Sequence, residues 1–152
     1  MRKNMGLYRG KRKDTGEWVE GNLFENDNTH FPMVLIGHVI MSRDKHFPQD
    51  LSFDGYALVE VDPETVGMCS GVPDKHGNLI YEDDFVRVDD DVKEMFKRVE
   101  DGPVRFSRGS FFVNSYGDFL SSFDVIADFM GVLRGEVIGN IHDNPELLEE
   151  VK

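Results

Sequence analysis

Cys69 and His76 are the residues whose types and spacing come nearest to nucleophilic chemistry. A thiol becomes a nucleophile when a neighbouring base takes its proton, and the segment between the two crosses a turn-forming Gly71-Val72-Pro73-Asp74. No third residue is marked to orient the imidazole, and nothing marks an oxyanion site. The simpler reading of Cys69 is a partly buried structural cysteine. His30, His38 and His46 recur every eight residues, with His76 and His142 further on. Zinc sites place ligands about two to four residues apart on a turn or helix, and these histidines do not. Glu82-Asp83-Asp84 and Asp89-Asp90-Asp91 offer hard oxygen ligands to a cation. They lack the alternating acids, central glycine and closing glutamate of a calcium loop. Solvated loops and a helix start explain them better. Gly67, Gly71 and Gly77 are not followed by Lys-Ser/Thr, so no phosphate-cradling loop is present. The expectation is no catalytic, cofactor-binding or metal-binding residue.

Charge narrows the partners. The chain has 152 residues, 17 Lys+Arg and 29 Asp+Glu, for a net charge of −12. Six basic groups and no acid lie within residues 1–13, so the remainder stands at −18. A surface of this sign repels phosphate backbones, which predicts no direct nucleic-acid binding. The basic head reads as a strand with a polar solvent face, its lysines discouraging edge pairing. Phe106, Phe111, Phe112, Tyr116, Phe119, Phe123 and Phe129 could stack bases. With only Arg105 and Arg108 as basic neighbours, they are expected to pack the core and helices. At 39% hydrophobic and 11% aromatic, the chain can form a core and is not a disordered acidic tail. Its most apolar window, Phe31 to Met41, is broken by Pro32, Gly37 and His38 and falls short of the roughly 20 residues of a membrane span. The basic start lacks the apolar stretch of a secretory signal, and Cys69 is the sole cysteine. These features predict a soluble cytoplasmic protein.

The elements that would position these residues are mostly strands. Met5 to Arg12 and Glu17 to Phe24 read as a hairpin around Asp14-Thr15-Gly16. In the second strand Trp18 shares a face with Glu20, opposite Val19, Gly21 and Leu23, and either face could be the buried one. Phe31 to Met41 and Tyr56 to Val61 are further strands, separated by a charged loop over Ser42 to Asp50. Asp62-Pro63 stops the second of these, because proline lacks a donor and restricts its predecessor. Thr65 to Cys69, Leu79 to Tyr81 and Phe85 to Val88 read as short strands, with turns at 71–74 and 75–78. Val92, Met95, Phe96 and Val99 fit a helix ended by Gly102-Pro103. A second hairpin is expected around Arg108-Gly109, a helix over about 118–130, a strand over 132–141 and a helix start at Asn144-Pro145.

Four segments, taken in order, resemble the YopX protein family of bacteriophages and prophages. They are Tyr8-Arg9-Gly10-Lys11-Arg12 with Thr15 to Gly21; Val61 to Gly67; Gly71 to Glu82; and Glu136 to Ile141 with Asn144 to Leu147. The resemblance implies a phage-derived protein whose C-terminal part folds as a small SH3-type barrel, and it brings no catalytic residues. One departure stands out: the family's Glu-Gly-Asp after the Ile-Tyr pair is here Glu82-Asp83-Asp84. If that glycine has positive φ, Asp83 must take it, which Asp tolerates better than most residues.

The chain therefore reads as mainly β with short helices. An N-terminal β region over 1–61 is followed by an SH3-type barrel region over 62–142 and a short helical tail over 143–152. Trp18, Asp62, Pro63, Gly67, Gly71, Asp74, Gly77, Gly139, Asn140 and Pro145 are the expected structural determinants. The functional expectation is a non-catalytic module binding a protein partner in a bacterial host. Alternatives are an acidic decoy for a basic host protein, an enzyme, or a self-assembling homo-oligomer.

Overall fold

The computed structural model describes residues 8–26, 33–43, 51–114 and 117–150 and is mainly β. The chain forms two compact units, Met1–Gly67 and Met68–Lys152.

In the first unit, β1 (Tyr8–Lys11), β2 (Trp18–Asn26), β3 (Met33–Arg43) and β4 (Leu51–Glu60) pair antiparallel in chain order. The turn between β1 and β2 is the expected one: Asp14 Oδ1 accepts from the Thr15 amide at 2.8 Å, and Gly16 has φ of 74°. The register pairs Lys11 with Trp18 and Arg9 with Glu20, which settles the open question of faces. Trp18 lies on the basic side, with the Arg9 guanidinium 4.7 Å and Lys11 Nζ 5.5 Å from its ring centre. Gly10 lies on the opposite, buried face against Ile36 and Val61, both buried.

The β3–β4 hairpin is longer than its apolar letters suggest. The ladder runs through Ser42↔Ser52 and Arg43↔Leu51, with a bulge at Ile40/Met41, because cross-strand pairing recruits residues of weak strand propensity. Asp62-Pro63 ends β4 as expected. Asp62 Oδ1 accepts from the Glu64 amide, capping a 3-10 turn over Pro63–Thr65. Thr65 Oγ1 accepts the Lys11 amide at 2.8 Å and donates to the Asp62 carbonyl at 2.7 Å, while the Asp62 amide donates to the Lys11 carbonyl. These bonds fasten β1 to the end of the hairpin.

The second unit contains β5 (Gly67–Pro73, which starts at the unit boundary), β6 (Leu79–Tyr81), β7 (Asp84–Val88), β8 (Gly102–Ser107), β9 (Ser110–Val113) and β10 (Gly135–Asn140). β5 pairs with β6, and β10-β7-β8-β9 form a four-stranded antiparallel sheet. Helices are short: α1 (Asp90–Met95), α2 (Phe123–Ile126) and α3 (Leu147–Glu150). Ile80, Val86, Val88, Val104, Phe123, Ile126 and Leu133 belong to its buried core.

Several local expectations change here. Thr65 belongs to the 3-10 turn, and in place of the turn expected over 71–74 there is a bulge inside β5, with Gly71 at φ of 73°. The helix expected through Val99 stops at Phe96, which is extended, yet Val99 still reaches the core through a turn. The helix over 118–130 is broken into a 3-10 turn at Phe119–Ser121 and α2, because Ser122 is drawn into a bridge with Phe112. A second bridge, Ala127↔Leu133, turns the rest into a loop.

The small barrel does not close among the described residues. β9 and β10 remain the two ends of the sheet, because each meets something other than a strand. Ser122 bridges to β9, while the Val137 amide of β10 donates to the Asp74 carboxylate and the Gly135 carbonyl accepts from the Lys75 amide.

Gly21 gives a test of the first unit's close packing. A Cβ there would lie 2.6 Å from the Gly37 carbonyl oxygen, a backbone atom of β3, whereas one at Gly16 meets nothing. Gly21→Ala is expected to cost about 2–3 kcal/mol in chemical denaturation, and Gly16→Ala about 1 kcal/mol from its φ alone. Equal losses would show that the β2–β3 approach is not tight.

Candidate functional site

The Asp74 motif is built around one carboxylate. Asp74 is only 1% exposed. Its Oδ1 accepts from the His76 and Asn78 amides, both at 2.9 Å, and its Oδ2 from Asn78 Nδ2 at 3.4 Å and the Val137 amide at 3.1 Å. Gly77, at φ of 83°, lets the loop close around it. Burial works to raise this carboxyl's pKa, but the amides of Val137, Asn78 and His76 outweigh it and hold it below the ordinary value.

Asn140 does the same work after β10. Its Oδ1 accepts from the His142 and Asp143 amides, and its own amide donates to Asn144 Oδ1. Gly139 sits at a bulge in β10, and a Cβ there would lie 2.5 Å from Asn144 Oδ1. Asn144 therefore turns its side chain back to β10, and Pro145 lies in the turn ahead of α3, which begins only at Leu147. Trp18, Asp62, Pro63 and Gly71 have the backbone and stacking roles given above, and Gly67 is buried at the start of β5.

The residues considered for chemistry hold different partners. Cys69 Sγ accepts from the Gly71 amide at 3.4 Å, while His76 Nε2 meets Glu136 at 3.0 Å. The two acidic runs are divided among different partners. Asp89 pairs with Lys75, Asp91 with Arg134, and Asp90 lies 3.8 Å from Lys93. Asp84 accepts the Tyr81 amide. Among the described residues no three His, Cys, Asp or Glu converge on a metal position. His30, His46 and Tyr116 lie outside the described residues, as does the side chain of His38.

Asp83 takes φ of 70°, the conformation anticipated for a residue in a glycine's place. Its carboxylate joins Arg105, 2.9 Å away, to His142, also 2.9 Å away, and all three are at least three-quarters buried. Burial, then the charge of Asp83, push the neighbouring Glu82 carboxyl above its ordinary value.

The surface that sequence patterning missed is the loop after α2. Asp128 Oδ1 accepts from the Met130 and Val132 amides, and the Asp128 carbonyl accepts from Gly131, whose φ is 77°. This turn holds Phe129 98% exposed and Met130 73% exposed, with Phe119 at 70% in the same segment. Phe112 and Phe123 are core residues as expected, but Phe119 and Phe129 are not. Apolar periodicity read 118–130 as one packed helix. The better signal was Asp128 three residues before Gly131, a turn signature enclosing two large apolar side chains.

Substitutions at two positions test these assignments. Asp74→Asn is expected to cost about 2 kcal/mol at pH 7, because the amide's N–H₂ meets a donor it cannot accept from. A carboxyl depressed in the folded state stabilises above its unfolded pKa and loses that effect as pH falls. The gap between wild type and variant in urea denaturation should therefore shrink below pH 3.8, and a constant gap would refute the role. Asp83→Ala should be less stable than Asp83→Gly by about 1 kcal/mol, since both lose the carboxylate and only Ala keeps the backbone strain. Equal stability would show that φ at this position carries no cost.

The family model described as YopX protein matches residues 7–149, nearly the whole chain. No curated protein and no solved structure matches it. The matched span takes in both compact units, the Asp62-Pro63 clip, the Asp74 turn and the Asn140 cap. The chain belongs to the YopX protein family.

Proposed function

We propose that this is a non-catalytic protein-binding module of phage or prophage origin, acting in the cytoplasm of a bacterial host through the Phe129–Met130 turn. The observation that carries this reading is the exposure of Phe129, 98%, on a loop whose backbone is fixed by Asp128. Aromatic and methionine side chains are enriched at protein interfaces, and a rigid loop loses little entropy when it docks. Asp118, Asp124 and Asp128 surround the apolar side chains in sequence, and the whole chain carries −12. The fitting partner presents an apolar pocket with a basic rim. An anionic lipid surface would repel these carboxylates. No helix among the described residues is long and apolar enough to cross a membrane.

The test is affinity capture from a bacterial lysate with the full chain and a Phe129→Ser/Met130→Ser variant. The same partner should be retained by the wild type and weakened about thirtyfold by the double substitution, with unchanged thermal stability. Equal capture by both would overturn the assignment of the surface. Recovery only of basic nucleic-acid-binding proteins, all lost at high salt and indifferent to the substitution, would favour the acidic-decoy reading instead.

A further inference from the structure

A cleft of about 260 Å³ opens in the second unit beside β5, the β8–β9 turn and α2. Phe111 and Phe123, with ring centres 5.8 Å apart and planes inclined by 36°, supply its apolar wall. Ser70 and Ser110 line it as well. The Ser70 hydroxyl is occupied by the backbone of Val72, while the Ser110 hydroxyl has no partner among the described residues. Among the described residues, Asp124 is the charged member of the lining, an exposed side chain with no hydrogen bond or ion pair. Many other acids of this unit, including Asp83, Asp89, Asp91, Asp101 and Glu136, are paired to a base.

Size and charge restrict the occupant. The volume lies below the roughly 300–1,000 Å³ of sites for drug-sized ligands and suits a single long side chain. A neutral apolar group would use the rings and leave Asp124 unanswered; an anion would be repelled by it. A guanidinium can lie against an aromatic face and also make two parallel hydrogen bonds to a carboxylate. Its aliphatic stem packs on the remaining ring surface. Arg108, next to Gly109 of the lining, is exposed and has no ion pair among the described residues, and it is not itself part of the lining.

We propose that this cleft receives an arginine side chain of a protein partner, with its guanidinium on Asp124 and its stem against Phe111, which the buried Phe123 backs. The protein-binding reading supplies the source of that side chain; the cleft's preference for a cation stands on its own lining.

The experiment is an NMR titration of the ¹⁵N-labelled full chain with N-acetyl-arginine methylamide, using N-acetyl-norleucine methylamide as the uncharged comparison. The arginine probe should shift the amides of Ser110, Phe111 and Asp124 saturably in the millimolar range, and norleucine should not. Asp124→Asn, at an exposed position, should weaken binding about fivefold. Arg108→Gln should leave it unchanged or strengthen it. Equal response to norleucine, wild-type affinity in Asp124→Asn, or loss of binding in Arg108→Gln would each overturn the proposal. The Phe129→Ser/Met130→Ser variant should bind the probe normally, so a failure of the docking turn and a failure of the cleft remain distinguishable.

Discussion

One buried carboxylate sets the form of the second unit. Asp74 has its charge shielded from water and must have donors, and four converge on it from two parts of the chain. The His76 and Asn78 amides shape the loop between β5 and β6; the Val137 amide ties that loop to β10. A charge-assisted bond to backbone N–H is stronger than a neutral one, and an ionised carboxylate deprived of it would be costly. The same contact occupies an N–H that a strand closing the sheet could otherwise have used. An open sheet with a covered edge is the physical consequence.

The device recurs at smaller scale. Asp62, Asp118, Asp128 and Asn140 each use a side-chain oxygen to accept from a backbone amide close in sequence. Such local bonds compete with helix formation and favour turns, so the helices are short and the loops well determined. They also account for part of the acidic composition without any acidic ligand site. Other acids are consumed in ion pairs, most of them at the surface, where each adds little stability. Asp124 belongs to neither class, and it is the acid that lines the cleft.

Phe129 and Met130 are the counterpart on the apolar side. The core has taken Val, Ile, Leu and the better-placed phenylalanines, and Asp128 holds these two large side chains away from it. A docking turn and a cation-accepting cleft on the same unit would give a partner two unlike contacts. Unlike contacts discriminate among partners better than a single hydrophobic patch.

Local chemistry made much of this legible in the residues themselves. Asp14-Thr15-Gly16, Asp62-Pro63, Lys75–Asn78 and Arg108-Gly109 act through backbone geometry that one to four residues determine, and they form where their letters indicate. The positive φ at Asp83 was readable for the same reason. The buried face around Trp18, the reach of β3 and β4, and the break at Ser122 depended on partners distant in the chain. So did the exposure of Phe129: a 3.6-residue apolar period looks alike whether the chain continues as a helix or is pulled apart by bridges to Phe112 and Leu133. By itself the sequence determined the strand-rich class, the turns named above and the sign of the surface, because these follow from composition and short-range sterics. Only the tertiary structure decided whether the sheet closed, which aromatics were buried and which acids were paired, because each depends on long-range competition for a limited set of hydrogen-bonding and packing partners.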